Sequence, residues 1–194
     1  MSSNKDFLPQ RGNYENLAVY KLATCIYAVT YHFANTYFSP KDRTIDQMVQ
    51  AARSGKQNIA EGSVDGNTST EMEIKLMNAA RGSMHELKAD YEDYLTLHEL
   101  ERWGTNDSRT IATRRFCRNN SDPSVFIAKA KERSPETVAN IALTMIHQFD
   151  FLMVRLIESI KRRFLEQGGI KEQMYKARKE HRDNRDNRDN RDNH

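Results

Sequence analysis

The polar residues that could do chemistry concentrate in two short stretches. The first is residues 53–62, Arg-Ser-Gly-Lys-Gln-Asn-Ile-Ala-Glu-Gly, and the second surrounds Ser83, His85 and Glu86. Asparagine, glutamate, serine and histidine held between two helices would suit a polar active site. They would equally suit a hydrogen-bond network that fixes helix register or a subunit contact, because a buried carboxylate needs a partner. We favour this structural interpretation.

The glycines within these stretches also favour a structural role. A glycine inside a helix costs about 1 kcal/mol against alanine, so Gly55 and Gly82 are expected to be reciprocal contact points of two helices. Gly62 is expected to close its helix in the left-handed conformation. Arg53 and Arg81 are the expected partners of the nearby glutamates. The candidate structural or interface residues are Arg53, Gly55, Asn58, Glu61, Gly62, Arg81, Gly82, Ser83 and Glu86.

The catalytic patterns that such residues suggest fail on spacing. A di-iron bundle needs glutamate three residues before histidine, and no histidine here has one. His85 and Glu86 lack the second histidine of a zinc site, because position 89 is alanine. The Ser-Gly-Lys-Gln stretch at 54–57 lacks the earlier glycine and the final serine or threonine of a phosphate loop. We therefore expect no enzyme, no metal and no cofactor.

The cysteines offer little more. Cys117 lies among Arg114, Arg115 and Arg118, whose charges could lower its thiol pKa. No histidine is positioned in sequence to act with it, so we interpret it as an incidental thiol. Cys25 falls near the apolar stripe of its helix and is expected in the core. Two cysteines make no disulfide framework, and both thiols are expected to be reduced.

Composition describes a soluble helical protein. The 194 residues are 38% hydrophobic and 29% charged, with a net charge of +3. Only 8 glycines and 4 prolines occur, which argues against a turn-rich all-β fold. The first ten residues lack the apolar core of a signal peptide, and no run of about 18 apolar residues could span a bilayer. These features predict a cytoplasmic protein without a membrane partner.

Helical periodicity must position the polar stretches. It predicts long helices over about 14–38, 42–61, 70–103 and 135–167, the last beginning with Ser134-Pro135. The predicted fold is all-α, an up-and-down antiparallel four-helix bundle with an inserted loop and short-helix region and a short C-terminal helix. The predicted segments are a flexible lead-in at 1–13, a bundle at 14–167 with an insertion at 104–135, a suffix helix at 168–181 and a disordered Arg-Asp-Asn tail at 182–194.

Three pieces of sequence carry a resemblance to a known family. They are Leu-Ala-Val-Tyr at 17–20 with Ala23, Asn-Ile-Ala-Glu-Gly-Ser at 58–63, and Ala-Arg-Gly-Ser-Met-His-Glu-Leu at 80–87. The chain resembles the four-helix-bundle proteins encoded in intervening sequences of large-subunit ribosomal RNA genes, a family that includes the accessory variability proteins of diversity-generating retroelements. The section from about 100 to 182 looks like the suffix segment of a subset of these proteins.

The resemblance implies a cytoplasmic four-helix bundle whose relatives form homopentameric barrels. In the retroelement relatives the barrel binds nucleic acid and a reverse transcriptase. The chain departs from the family in the middle of the second helix, where it has Gln50-Ala51-Ala52 in place of the usual arginines before an alanine. That departure removes positive charge from a surface that could have met nucleic acid.

The charge of the chain is polarised, which bears on its partners. The charged residues of 84–101 are mostly acidic, whereas 102–118 and the last two helices carry an excess of lysine and arginine. A basic stripe repeated around an oligomer would attract RNA or DNA. The alternative is an oligomeric protein–protein interaction scaffold with no nucleic-acid role. The candidate nucleic-acid-binding residues are Arg114, Arg115, Arg118, Lys161, Arg162, Arg163, Lys176, Arg178 and Lys179.

Overall fold

The computed structural model describes residues 14–64 and 69–168, and beyond them Glu172, Tyr175, Lys176, Arg178, Lys179, His181 and Arg182. Over these residues the chain is all-helical and has no strand, as predicted. After a 3-10 turn, Tyr14–Asn16, come α1 (Ala18–Tyr37), α2 (Thr44–Val64), α3 (Thr70–Leu97), α4 (Ser108–Asn119), α5 (Pro123–Lys131) and α6 (Pro135–Gln167). The predicted lead-in, most of the suffix helix and the repeat tail lie outside the described residues.

Side chains at the helix starts satisfy backbone N–H groups that have no partner within the helix. At α3 and α6, Ser69 and Ser134 each accept from the N–H three residues on, at 3.2 and 3.3 Å. At α4 and α5, Asp107 and Asp122 accept from the N–H two residues on, at 2.8 and 2.9 Å. Pro135 occupies the first turn of α6, where its missing N–H is harmless. These caps explain why α3 to α6 begin where they do.

The long helices pack on one another in a closed order. Helix α1 packs against α2 and α6, and α3 packs against the same two helices. A Cβ built on Gly55 would meet Met84, and one built on Gly62 would meet Met77. Since the residue numbers rise along α2 as they fall along α3, these two helices run antiparallel.

Two ion pairs give the direction of α6. Arg81 of α3 meets Asp150 of α6 at 2.8 Å, and Glu73 of α3 meets Arg163 of α6 at 2.8 Å. Numbers fall along α3 as they rise along α6, so these helices also run antiparallel.

Aromatic residues link α1 to α3 across the core. The Phe33 ring lies 5.0 Å from that of Tyr91 and 4.8 Å from that of Tyr94. The Tyr91 hydroxyl donates to Oγ1 of Thr30 at 3.0 Å, and both residues are fully buried. Because Thr30 meets Tyr91 while Phe33 meets Tyr94, α1 and α3 run parallel.

Helix α2 continues past its predicted end. It reaches Val64, and Gly62 lies inside it without a positive φ, so the prediction that Gly62 closes the helix is wrong. A Cβ at this position would lie 2.9 Å from Cε of Met77 and 3.2 Å from Cβ of Leu76. Gly62 therefore allows α3 to approach closely, and its value is in packing.

Helix α3 ends earlier than predicted, at Leu97 and not near Trp103. Glu99 adopts a left-handed φ of 54°, and the Leu100 N–H donates to the carbonyl of Leu95 at 2.9 Å. This is the hydrogen bond of a Schellman motif, in which glycine usually occupies the left-handed position. The end of α3 was not predicted because the left-handed position is occupied by a glutamate and not by a glycine.

The insertion contains two short helices, α4 and α5, where the sequence predicted a loop and short-helix region. Helix α5 packs against α1 and buries Phe126 and Ala130, whereas α4 packs against α6 and buries Thr110. The insertion is therefore part of the packed body. Helix α6 ends as predicted, and Gly168 follows it with a φ of 74°.

Helix α6 is long and apolar enough to cross a membrane by length and composition alone. No such segment was predicted from the sequence. In the structure 56% of its most apolar window is buried among other helices. The core helix of a soluble protein has the same composition, so α6 is weak evidence for a membrane.

Candidate functional site

The polar stretches of α2 and α3 meet at a contact that we term the α2–α3 seam, formed by Ser54, Gly55, Ser83 and Met84. The Ser83 hydroxyl donates to the Ser54 hydroxyl at 3.1 Å. A Cβ on buried Gly55 would lie 2.7 Å from Cε of Met84. The prediction that Gly55 marks a close helix crossing is confirmed.

The partner predicted for Gly55 is wrong. Gly82 is exposed, and a Cβ added to it would meet nothing within 4 Å. The residue of α3 that packs against Gly55 is instead Met84, two positions after Gly82. Whether Gly82 contacts a second subunit is untested and stays a prediction.

Other polar residues predicted for the seam lie at its margin. Asn58 is half-buried and donates to the Ser54 hydroxyl at 3.4 Å within the same helix. Arg53 and Glu61 are exposed and form no ion pair within the described part of the chain. The polar link between α2 and α3 is therefore the pair Ser54 and Ser83, and not Asn58 or Glu61.

The predicted pairing of Arg81 with a glutamate is also wrong. Its Nε donates to Oδ1 of Asp150 at 2.8 Å, and Nε2 of His85 lies 3.1 Å from the same oxygen. Burial raises the pKa of the Asp150 carboxyl, but the bond and charge of Arg81, and then of His85, outweigh it and hold the pKa below its usual value. Glu86 is exposed and has no ion pair among the described residues.

Catalytic geometry is not evident at the seam. A shallow cavity of about 450 Å³ lies over it, with Ser54, Ser83, Glu86 and Asp90 in its walls. The two serine hydroxyls bond each other and not a general base. Burial, followed by the charges of Asp93 and Glu86, raises the pKa of Asp90. Within the described residues, no group of three or more His, Cys, Asp or Glu could hold a metal ion.

A larger cleft lies between α4, α6 and the start of α1. Its volume is about 860 Å³, and we term it the basic cleft because Lys21, Arg114, Arg118 and Arg155 line it. No Asp or Glu of the described residues contributes to its walls. Four cations around a concave surface without carboxylates create a positive field that favours anionic ligands.

An aromatic side chain completes the basic cleft. Phe151 lines it and is 62% exposed, which is unusual for a phenylalanine on a core helix. The Arg155 guanidinium lies 5.7 Å from the centroid of the Phe151 ring. An exposed ring beside arginines offers a flat surface on which a planar ligand group could stack.

Backbone contacts hold Arg114 in place at the centre of the cleft. Its Nη1 donates to the carbonyl of Thr105 at 3.2 Å, and its own carbonyl accepts from Nε2 of Gln148 at 3.2 Å. The first bond ties α4 to the loop that precedes it, and the second ties α4 to α6. Arg114 is therefore held in position, whereas Arg118 at the mouth is exposed.

Of the predicted basic residues on α4, Arg114 and Arg118 line the cleft, whereas Arg115 is exposed and does not. Cys117 also lines it. Burial raises the pKa of the Cys117 thiol to about 12, so the lowering that the neighbouring arginines could have caused is not found. Cys25 is buried, as predicted.

The remaining predicted cations lie outside the cleft. Arg163 is paired with Glu73 at 2.8 Å, which neutralises much of its charge. Lys161 and Arg162 are exposed at the end of α6 and form no ion pair within the described residues. The last three candidates, Lys176, Arg178 and Lys179, are helical and exposed, and none of them lines the cleft.

Lys21, Phe151 and Arg155 line the cleft but are not among the residues predicted from the sequence. A signal was available for two of them. Phe151 and Arg155 lie four residues apart and therefore share a face of α6. Lys21 gave no such signal, because its place in the cleft depends on how α1 packs against α6.

His147 lies on α6 at the edge of the cleft. Partial removal from water and then the charges of Lys88 and Arg102 lower its pKa, with Glu92 acting in the opposite direction. The imidazole is therefore neutral at pH 7, and the positive charge of the cleft comes from its lysine and arginines.

Over the residues that the structure describes, the fold and site define an all-helical protein with a basic cleft whose lining contains no Asp or Glu. No protein-family model, curated protein or solved structure matches the chain. The family resemblance of the α1, α2 and α3 motifs therefore stays a hypothesis.

Proposed function

We propose that the protein is a non-enzymatic, cytoplasmic, homo-oligomeric helical-bundle protein that binds RNA or DNA as an accessory factor. Its proposed architecture is the up-and-down four-helix bundle of α1, α2, α3 and α6, with α4 and α5 inserted. The closed packing order and the alternating helix directions support this architecture. The observation that carries the function is the basic cleft.

The cleft suits a nucleic-acid strand for two physical reasons. Its cations can contact successive phosphates, whose released counterions supply most of the binding free energy at low salt. Phe151 can stack on a base, which contributes about 1–3 kcal/mol per base without regard to sequence. A single strand exposes its bases for such stacking, so we expect single strands to bind more tightly than duplexes of the same length.

Fluorescence anisotropy with labelled oligo-dT, oligo-rU and a matched duplex tests the proposal. With four phosphate contacts the logarithmic salt slope should be about −3, so that tripling the salt concentration weakens binding about twentyfold. Affinity for a single strand that does not change with salt, or that matches a neutral polymer, would sink the proposal.

Two matched pairs of variants locate the site. Arg118→Gln should weaken binding about three- to tenfold and lower the salt slope by about 0.7. Arg115→Gln removes the same charge from α4 outside the cleft and should have a much smaller effect. Phe151→Ala should weaken binding at least fivefold, whereas Ile111→Ala removes an exposed apolar side chain outside the cleft and should not. Equal effects within each pair would place binding elsewhere.

Oligomerisation is the part of the proposal that rests on the family resemblance. We propose a homopentamer, with a reverse transcriptase as a possible type of protein partner. Light scattering of the full chain measures the mass directly. A monomer at micromolar concentration would remove the oligomer while leaving the cleft to be tested by itself.

A second candidate function is an oligomeric scaffold for another protein. Apolar side chains at the end of α6 favour it, because Phe164 is 44% and Leu165 is 82% exposed. Exposed apolar residues at one place on a surface are typical of protein contacts. A stable protein partner that is retained after nuclease treatment and lost in Leu165→Glu, together with no oligonucleotide binding, would support this function over the first.

A further inference from the structure

A second, smaller cavity of about 310 Å³ lies beside the basic cleft, between the loop after α3, the first half of α4 and the middle of α6. We term it the Thr110 cavity. Arg114 and His147 belong to its walls as well as to those of the basic cleft. Arg102 lines the Thr110 cavity but not the basic cleft. The cavity is therefore lined by one arginine from the loop after α3 and one from α4.

Two residues that line this cavity carry buried polar atoms without a hydrogen-bond partner among the described residues. Thr110 is 5% exposed, and its hydroxyl has no hydrogen-bond partner within the described part of the chain. The indole N–H of Trp103, a residue that lines this cavity and a neighbouring one, is also buried without a partner among those residues. Buried polar atoms are nearly always paired, so two such atoms at one cavity call for a ligand or ordered water.

The neighbouring polar groups are already used. Asn140 accepts from the Trp103 backbone N–H at 2.8 Å and donates to the carbonyls of Glu101 and Glu136 at 2.8 and 2.9 Å. The Thr144 hydroxyl donates to the carbonyl of Asn140 at 2.9 Å. Asn140 and Thr144 therefore fix the shape of the cavity and have few hydrogen-bonding sites left for a ligand.

The polar groups of the cavity wall that can still form hydrogen bonds are mainly donors. The Thr110 hydroxyl and the Trp103 indole can each donate, and both arginines keep N–H groups beyond those they use. Arg114 uses Nη1 for the carbonyl of Thr105, and Arg102 is paired with Glu92 outside the cavity. No carboxylate of the described residues lines the cavity. This set matches a compact oxyanion with several acceptor oxygens.

We propose that the Thr110 cavity binds a phosphoryl group, with Arg114 supplying charge, the Glu92-paired Arg102 supplying its remaining N–H groups, and Thr110 and Trp103 supplying neutral donors. The group belongs either to a small free phosphate or to one phosphate of a strand in the adjoining basic cleft. The first source does not depend on the proposed nucleic-acid function, since the cavity is separate from the stacking residue Phe151.

Trp103 is the only tryptophan of the chain, which makes it a specific reporter. Its indole N–H resonance and its fluorescence are followed while inorganic phosphate is added to the full chain, with chloride at equal ionic strength as the control. We expect a saturable change with phosphate and none with chloride. A change that is linear, or the same for both salts, would mean that free phosphate does not bind.

Thr110→Val keeps the shape of the side chain and removes its hydroxyl. It should weaken phosphate about tenfold, the loss expected for a hydrogen bond to an anion. Thr113→Val, on the same helix, removes a hydroxyl that bonds the carbonyl of Arg109 and should leave phosphate binding unchanged. Thr110→Val removes a buried, unpartnered hydroxyl, so the variant should fold at least as stably as the natural chain.

The same variants separate the two sources of the phosphoryl group. Binding of free phosphate that is lost in Thr110→Val but kept in Arg118→Gln assigns a small phosphate, whatever the cleft does. Binding of oligonucleotide alone, with the Trp103 signal lost in Thr110→Val, assigns a strand phosphate. If Thr110→Val binds both ligands as the natural chain does, or if neither ligand moves the Trp103 signal, the proposal is overturned.

Discussion

Two glycines in the middle of long helices make the same substitution a test of the packing at the seam. Gly55 of α2 and Gly82 of α3 are both helical, and alanine is intrinsically better than glycine there by about 1 kcal/mol. Gly82 faces open space, so Gly82→Ala should raise the free energy of unfolding by about 0.5–1 kcal/mol. Gly55 should behave in the opposite way.

The contact distances set the size of the effect at Gly55. Its new Cβ would lie 2.7 Å from Cε, 3.1 Å from Cγ and 3.3 Å from Sδ of Met84. Because Met84 is fully buried, its side chain cannot swing into solvent to make room. Overpacking of this kind costs about 1–3 kcal/mol, so after the gain in helix propensity Gly55→Ala should destabilise by up to about 2 kcal/mol.

Chemical denaturation with urea, monitored by circular dichroism, measures both variants on the full chain. A double-mutant cycle gives the sharper result. In the background of Met84→Ala the obstructing atoms are gone, so adding Gly55→Ala should now stabilise by up to about 1 kcal/mol. If Gly55→Ala stabilises the natural chain as much as Gly82→Ala does, α2 and α3 do not approach closely at the seam and the argument fails.

Two further outcomes follow from buried and paired polar groups. Tyr91→Phe should destabilise by about 1 kcal/mol, because it removes the donor to the buried Thr30 hydroxyl. In Thr30→Val the Tyr91 hydroxyl has no partner, so the same substitution should be neutral or stabilising, and an equal loss in both backgrounds would contradict this pairing. The lowered pKa of Asp150 means that its pair with Arg81 stabilises the fold above the ordinary aspartate pKa and is lost as pH falls through the lowered value. Urea unfolding should therefore show Asp150→Asn less stable than the natural chain at pH 7, with a difference that shrinks as the pH falls below the ordinary aspartate pKa. A difference that does not shrink in acid would point to lost packing instead.

Much of the fold could be predicted from local signals. Apolar periodicity gave the long helices, and Ser-Pro at 134–135 located the start of α6 because capping is a local interaction. The predicted ends failed where tertiary packing competed with local rules. Gly62 has the type of a helix terminator but serves to admit Met77, and Glu99 terminates α3 although its type carries no such signal.

Less of the candidate site could be predicted, for a physical reason. The pairing of Arg81 with Asp150 joins residues 69 positions apart, and no local pattern chooses an aspartate on α6 over a glutamate on α2. The basic cleft combines α1, α4 and α6, so its charge depends on which faces those helices bury. A count of lysines and arginines along the chain found Arg114 and Arg118 but also selected Arg163, which Glu73 neutralises.

The motifs that suggest a family and the residues that form the cleft are largely separate. Residues 58–63 and 80–87 contribute Ile59, Gly62, Ala80, Met84 and Leu87 to the interior, and none of them lines the basic cleft. Only the motif at 17–20 reaches it, through Ala18, which brings no charge. A protein can therefore keep these motifs, and with them the packing of α2 on α3, while Arg118, Phe151 and Arg155 change freely. The variants in the cleft, and not the motifs, decide whether this chain binds nucleic acid.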